Sequence, residues 1–244
     1  MLIEQLINGI TLGSIYAVVA LGFTLVFGVL GIINMAHGEI FMMGAFVGVI
    51  LTGVLGWPLW LAFLIAIAVT GILGYLLERF ALRPLRGKKG VSHLAPLIST
   101  IGVSILLENL THHFFGAGNK PFRTPFAEIS FQVGSITIYL VQLVIFVISV
   151  ILMVSLSYWL SKTKAGKALR ATAENLETAS ILGVDTKRII ILTVVIASAM
   201  GGIAGILVGM AFNSVSPQMG LAIGLKGLAI IILGGMGNVK GAMV

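Results

Sequence analysis

Ser161-Lys162-Thr163-Lys164-Ala165-Gly166-Lys167-Ala168-Leu169-Arg170-Ala171-Thr172-Ala173-Glu174, continued by Asn175-Leu176-Glu177-Thr178-Ala179-Ser180-Ile181-Leu182-Gly183-Val184-Asp185-Thr186-Lys187-Arg188, decides how the rest of the chain is read. Of the 15 Lys/Arg and eight Asp/Glu side chains in 244 residues, nine fall in this one stretch. Apolar runs long enough to cross a bilayer flank it on both sides. Each charge would cost ~2.5 to 3.5 kcal/mol at a helix centre in lipid, so the stretch is a polar island outside the membrane.

Working outward, 58% of the residues are hydrophobic and 9% charged, against about 25% charged in an ordinary soluble domain. The chain reads as an all-α, polytopic integral membrane protein forming one transmembrane domain over residues 1–244. Six apolar runs cover 6–33, 40–55, 59–77, 94–115, 136–160 and 189–212. A shorter run, 221–233, contains Lys226 and leads into Gly234-Gly235-Met236-Gly237, so it reads as a discontinuous segment of the kind that lines passages in transporters. The chain stops at Val244 without a closing polar tail, which suggests a C-terminal truncation. Run 6–33 is ~42 Å long as a helix against a ~30 Å hydrocarbon core, so it must tilt or break, with Gly28 and Gly31 the expected places. Gly9/Gly13, Gly44/Gly48 and Gly201/Gly205/Gly209 recur at four-residue spacing, which lets helices approach closely in lipid. The absence of cysteine excludes disulfides, thiolate metal sites and cysteine nucleophiles. The net charge of +7 reports orientation rather than nucleic-acid binding. Arg79, Arg83, Arg86, Lys88 and Lys89 lie in one loop and six bases in the 161–188 island, whereas the loop between holds only Lys120 and Arg123. Basic loops stay in the cytoplasm, which puts the island inside and the N-terminus outside.

The island carries its own punctuation. Residues 164–174 favour helix, Asn175 suits the cap of a second short helix over 176–182, Gly183 suits the left-handed residue that ends it, and Asp185 suits the cap of the span that follows. Leu176, Ala179 and Leu182 fall on a shared face. A solvated loop is the plainer alternative; ordered caps and small residues favour a docking element.

Glu177-Thr178-Ala179, three residues, then Gly183 is similar to the Glu-Ala-Ala…Gly loop of permease subunits in ATP-binding-cassette importers, although the Ile…Leu-Pro tail of that pattern has no match. Asn8-Gly9-Ile10-Thr11-Leu12-Gly13-Ser14, Gly31-Ile32-Ile33-Asn34-Met35-Ala36-His37-Gly38-Glu39, Glu78-Arg79 with Arg83-Pro84-Leu85-Arg86, Gly166-Lys167-Ala168-Leu169-Arg170-Ala171, Leu182-Gly183-Val184-Asp185 and Leu233-Gly234-Gly235-Met236-Gly237 resemble the branched-chain amino acid permease family, in family order. The resemblance implies a bacterial or archaeal cell-membrane importer for branched-chain or related small amino acids. Its expected partners are two cytoplasmic ATPases, a sister permease or second copy, and an extracytoplasmic binding protein. ATP and Mg would sit on the ATPases, and this chain would bind no cofactor or metal. Lys167, Arg170, Glu174, Asn175, Glu177, Ala179 and Gly183 become the expected ATPase-coupling residues.

Inside the lipid-embedded part, ionisable groups are functional suspects. Asn34, His37 and Glu39 sit in the gap between the first two runs, where they either belong to a passage or gate or, more simply, cap and complement the second helix. Two ligands at the His37/Glu39 spacing are too few for a closed metal site. Glu108 is one helical turn from His112 and positioned to pair with it, while Ser99, Thr100 and Ser104 on the same run suit either path lining or interhelical hydrogen bonds. A self-sufficient ion-coupled transporter or channel is the competing reading, but it leaves the docking island unused. An intramembrane enzyme finds no nucleophile and base on facing runs.

Overall fold

Glycine and proline mark where the long helices start and stop. The computed structural model describes residues 2–86, 94–124, 126–133 and 136–243. Helix α1, Leu2–Leu30, passes Gly28 unbroken and ends where Gly31 turns left-handed (φ +64°). A short connection re-enters the protein, and α2, His37–Gly48, continues through a π-helical turn over Val49–Val54 to Gly56 (φ +67°). Pro58 starts α3, Leu59–Leu77, which continues through Glu78–Leu82 and Arg83–Leu85. Arg86 forms an ion pair with the buried Glu78, so that member of the basic loop neutralises an internal carboxylate. Lys88, Lys89 and His93 lie outside the described residues. Helix α4 covers Ala95–Phe115.

The loop after α4 holds β1, Lys120–Pro121, and a hairpin of β2, Ser130–Val133, with β3, Ile136–Tyr139, in which Ser130 faces Tyr139 and Phe131 faces Ile138. The fifth apolar run predicts a helix from residue 136. The helix begins only at α5, Leu140–Lys162, because β-branched Ile136, Thr137 and Ile138 favour the strand. Two short helices follow, α6 (Lys164–Glu174) and α7 (Leu176–Ile181), then α8, Thr186–Phe212. Strand β4, Ser214–Val215, pairs antiparallel with β1, and α9 spans Met219–Gly234.

Five helices among the described residues, counting α2 and α3 with their continuations, are long and apolar enough to cross a membrane, and α9 is a shorter apolar helix. The sixth expected span, α4, is 21 residues long but carries Glu108, Asn109, His112 and His113. Helix pairing gives it a crossing all the same. Met35 N–H donates to Thr100 Oγ1 at 3.2 Å and Ser104 donates to Glu39 at 3.3 Å, so α4 climbs alongside α2 in the same direction. Contacts of Glu4 with Thr137 and of Asn8 with Gln142 set α1 parallel to α5. With α2 and α3 each crossing, that requires α4 to cross as well.

Helix α8 is the centre, with α1, α2 and α3 around it. Its glycines permit this: a Cβ on Gly202 would collide with Thr70 of α3, one on Gly205 with the Phe41 carbonyl of α2, and one on Gly44 with Gly202 itself. Close backbone approach through small residues is how helices associate without a hydrophobic drive from lipid. Gly9 and Gly13, expected to act likewise, meet no atom within 4 Å among the described residues. Their face of α1 is open.

Candidate functional site

Three polar regions stand out, and the first is the island. Thr163 Oγ1 accepts from Gly166 N–H at 3.0 Å and starts α6; Asn175 Oδ1 accepts from Thr178 N–H at 2.9 Å and starts α7; Asp185 Oδ1 accepts from Arg188 N–H at 3.1 Å and starts α8. Gly183, at φ +85°, ends α7. The elbow between α5 and α6 is tight, because a Cβ on Gly166 would collide with the Trp159 and Leu160 carbonyls. Buried Leu169 and Thr172 tie α6 to the helices above it. Lys167, Arg170, Glu174, Asn175, Glu177 and Gly183 are exposed. Ala179 is not: at 2% exposure it anchors α7 inward, and its carbonyl accepts from Val184 N–H at 3.0 Å. The shared face expected for Leu176, Ala179 and Leu182 therefore does not exist. Ile181 and Leu182, 79% and 76% exposed, take the outer side instead.

The second region lies at the start of α2. The fully buried His37 side chain lies in an internal break between helices. Its ring stacks edge-on against Phe23 at 4.6 Å, beside Gly22 of α1 and Gly201 of α8. Gly201 is 15 residues into α8, or ~22 Å from that helix's start, so His37 is at membrane mid-depth. Asn34 organises the turn rather than capping α2 directly: its Oδ1 accepts from Ala36 N–H at 3.1 Å and its carbonyl from His37 N–H at 3.2 Å. Glu39, 1% exposed, keeps Oε1 on Ser104 while Oε2 rests in a notch that exists because Gly220 of α9 has no side chain. Asn34 Nδ2, both His37 ring nitrogens and Glu39 Oε2 have no hydrogen-bond partner among the described residues. Glu108 and His112 approach to 3.8 Å at a half-buried position, one turn from Ser104. Thr100 and Ser104 bridge to α2, and Ser99 donates to the Ala81 carbonyl at 3.1 Å. Among the described residues no three His, Asp or Glu side chains gather as a metal site would need.

The third region has no signal in the sequence. A cavity of about 630 Å³ opens at the N-terminal ends of α1 and α5, lined by Asn8, Thr11, Gln142, Ile145, Met210 and Asn213. A smaller one, about 290 Å³, lies further along the same helix pair between Thr24 and Gly28 of α1 and Ser157 and Ser161 of α5. Leu169, Arg170 and Ala173 of α6 wall it. The two cavities thus bracket one α1–α5 seam, and the island closes one of them. Only spatial pairing of α1 with α5, which brings Asn8 to Gln142, creates them.

A family model described as "Branched-chain amino acid transport system / permease component" matches residues 5–244. This chain belongs to that permease family. It is 39% identical over 256 residues to the high-affinity branched-chain amino acid transport system permease protein BraD of Pseudomonas aeruginosa, covering 99% of this chain and 82% of that protein. LivH of Escherichia coli K12, of the same description, is 38% identical over 255 residues with the same coverage. LivM of E. coli K12 is 30% identical over 257 residues, covering 93% of this chain and 58% of LivM. No solved structure matches. The permease is thus a multi-pass membrane protein and a transport subunit rather than an enzyme.

Proposed function

We propose that this permease moves branched-chain or related small amino acids inward by alternating access, driven by two ATP-binding-cassette ATPases that dock on α6 and α7. A second permease of the same family would complete the membrane part, and an outer binding protein would deliver the substrate. ATP and Mg would be held by the ATPases. The observation that carries the reading is the position of α6: one side is exposed with Lys167, Arg170 and Glu174, while buried Leu169 walls the inner cavity of the α1–α5 seam. A push on the exposed side reaches that cavity without an intervening joint, because the Gly166 elbow leaves no slack between α5 and α6.

Chemistry favours protein docking at this surface. Exposed Glu174 and Glu177 suit charge-assisted hydrogen bonds to basic side chains, and Ile181 and Leu182 supply apolar contact. The relatives' names specify branched-chain amino acids for those proteins, and the alignment over nearly all of this chain supports the same substrate class here. In proteoliposomes containing the partner subunits, uptake should require ATP hydrolysis. Uptake driven by an ion gradient without ATP would overturn the reading in favour of a self-sufficient transporter.

A further inference from the structure

Helix α9 presents a mostly apolar outer face, Leu221, Leu225, Ile232 and Leu233, with Lys226 at the edge of it next to α1. The Lys226 ammonium is 3.3 Å from the Tyr16 hydroxyl and 5.4 Å from the centre of that ring. Among the described residues no carboxylate pairs with it. Tyr16 is six residues, or ~9 Å along α1, from the Gly22 level occupied by His37, so the ammonium lies inside the ~30 Å hydrocarbon layer, displaced from its middle towards the N-terminal end of α1. A charge facing lipid is costly, by up to ~2.5 to 3.5 kcal/mol at a helix centre, and intramembrane charges instead face protein or water-filled cavities. Above Tyr16 the same side of α1 is open at Gly9 and Gly13, where no atom of the described residues comes within 4 Å. A cation without a carboxylate partner, inside the hydrocarbon layer on an open, small-residue face, is poorly made for lipid.

We infer that the α1–α9 face carrying Tyr16 and Lys226 lines the water-filled passage between this permease and its mate, and that Lys226, aided by the Tyr16 hydroxyl, binds the carboxylate of the amino acid in transit. The inference rests on the permease reading above and adds a site to it. An ammonium held by one neutral hydroxyl has two donor positions left, enough for a carboxylate. The neighbouring leucines and isoleucine suit an aliphatic side chain.

The chain has no cysteine, so Lys226→Cys introduces the subunit's one thiol. In proteoliposomes with the ATPases, second permease and binding protein, this variant should lose about tenfold in uptake while ATP hydrolysis stays within about twofold of wild type. Treatment with 2-aminoethyl methanethiosulfonate, which rebuilds an ammonium of nearly lysine length, should restore about half of the uptake or more, as should Lys226→Arg. The hydroxyethyl and sulfonatoethyl reagents should modify the introduced thiol without restoring uptake, and liganded binding protein should slow modification. The wild-type complex, treated in parallel, controls for thiols on the partners. Failure of all three reagents to modify the introduced thiol would put the face against lipid or a sealed interface and overturn the inference. Equal rescue by the neutral reagent, or wild-type uptake by the untreated variant, would also overturn it. ATP-independent uptake by the wild-type complex would instead sink the permease reading, however the introduced thiol behaves.

Discussion

The crossing of α2 with α8 and the α6–α7 island are built on opposite principles. At the crossing, Gly44, Gly202 and Gly205 let backbones touch, and nothing larger than hydrogen fits. In the island, Thr163, Asn175 and Asp185 fix short helices by capping, and most side chains face outward. A transporter driven from one end needs this contrast: a stiff bundle to carry displacement and a shaped, replaceable surface to receive it. Between them, buried Leu169 and Thr172 and the tight Gly166 elbow join surface to bundle.

The contrast breaks first at the crossing. Gly205→Val should abolish recovery of folded permease from membranes, because its Cβ alone collides with the Phe41 carbonyl; detergent-extracted yield measures it, and overpacking there exceeds the usual ~1 to 3 kcal/mol because backbone cannot step aside. An island substitution should do the reverse. Ile181→Asp, at a position 79% exposed, should leave the permease's thermal unfolding unchanged while ATPase co-purification falls about tenfold. A smaller effect is expected at the mid-depth site, where Gly220→Ala pushes against the Glu39 carboxylate and should cost about 1 to 3 kcal/mol of stability. If Glu39→Ala in the same background relieves that loss, the notch is the cause. The smallest effect belongs to a cap: Asn175→Ala should cost about 1 kcal/mol, confined to α7, seen as faster amide exchange at Thr178 while α8 is unaffected.

Much of this is legible in the residues. The run 59–77 coincides with α3 and the stretch 164–174 with α6, since apolar length and helix propensity act locally. Asn175, Gly183 and Asp185 punctuate the island as their side chains and backbone freedom dictate. What escapes a reading of the chain depends on partners distant in sequence. Which glycines are crowded follows from what faces them: Gly44 meets Gly202, whereas Gly9 and Gly13 meet nothing among the described residues. Ala179 turns inward because a six-residue helix has one inner side, and packing against α8 chooses it. The α1–α5 cavities, and the notch opposite Glu39, exist only once helices far apart in sequence are side by side.

The central claim is that force enters through the island. It is tested most directly by measuring ATP hydrolysis and leucine uptake in the same proteoliposomes for Glu177→Lys, an exposed reversal of charge that touches neither the glycine crossing nor the caps. The account predicts that binding-protein-dependent hydrolysis continues within about threefold of wild type while uptake falls about tenfold or more. Uptake and hydrolysis both at wild-type levels would contradict it.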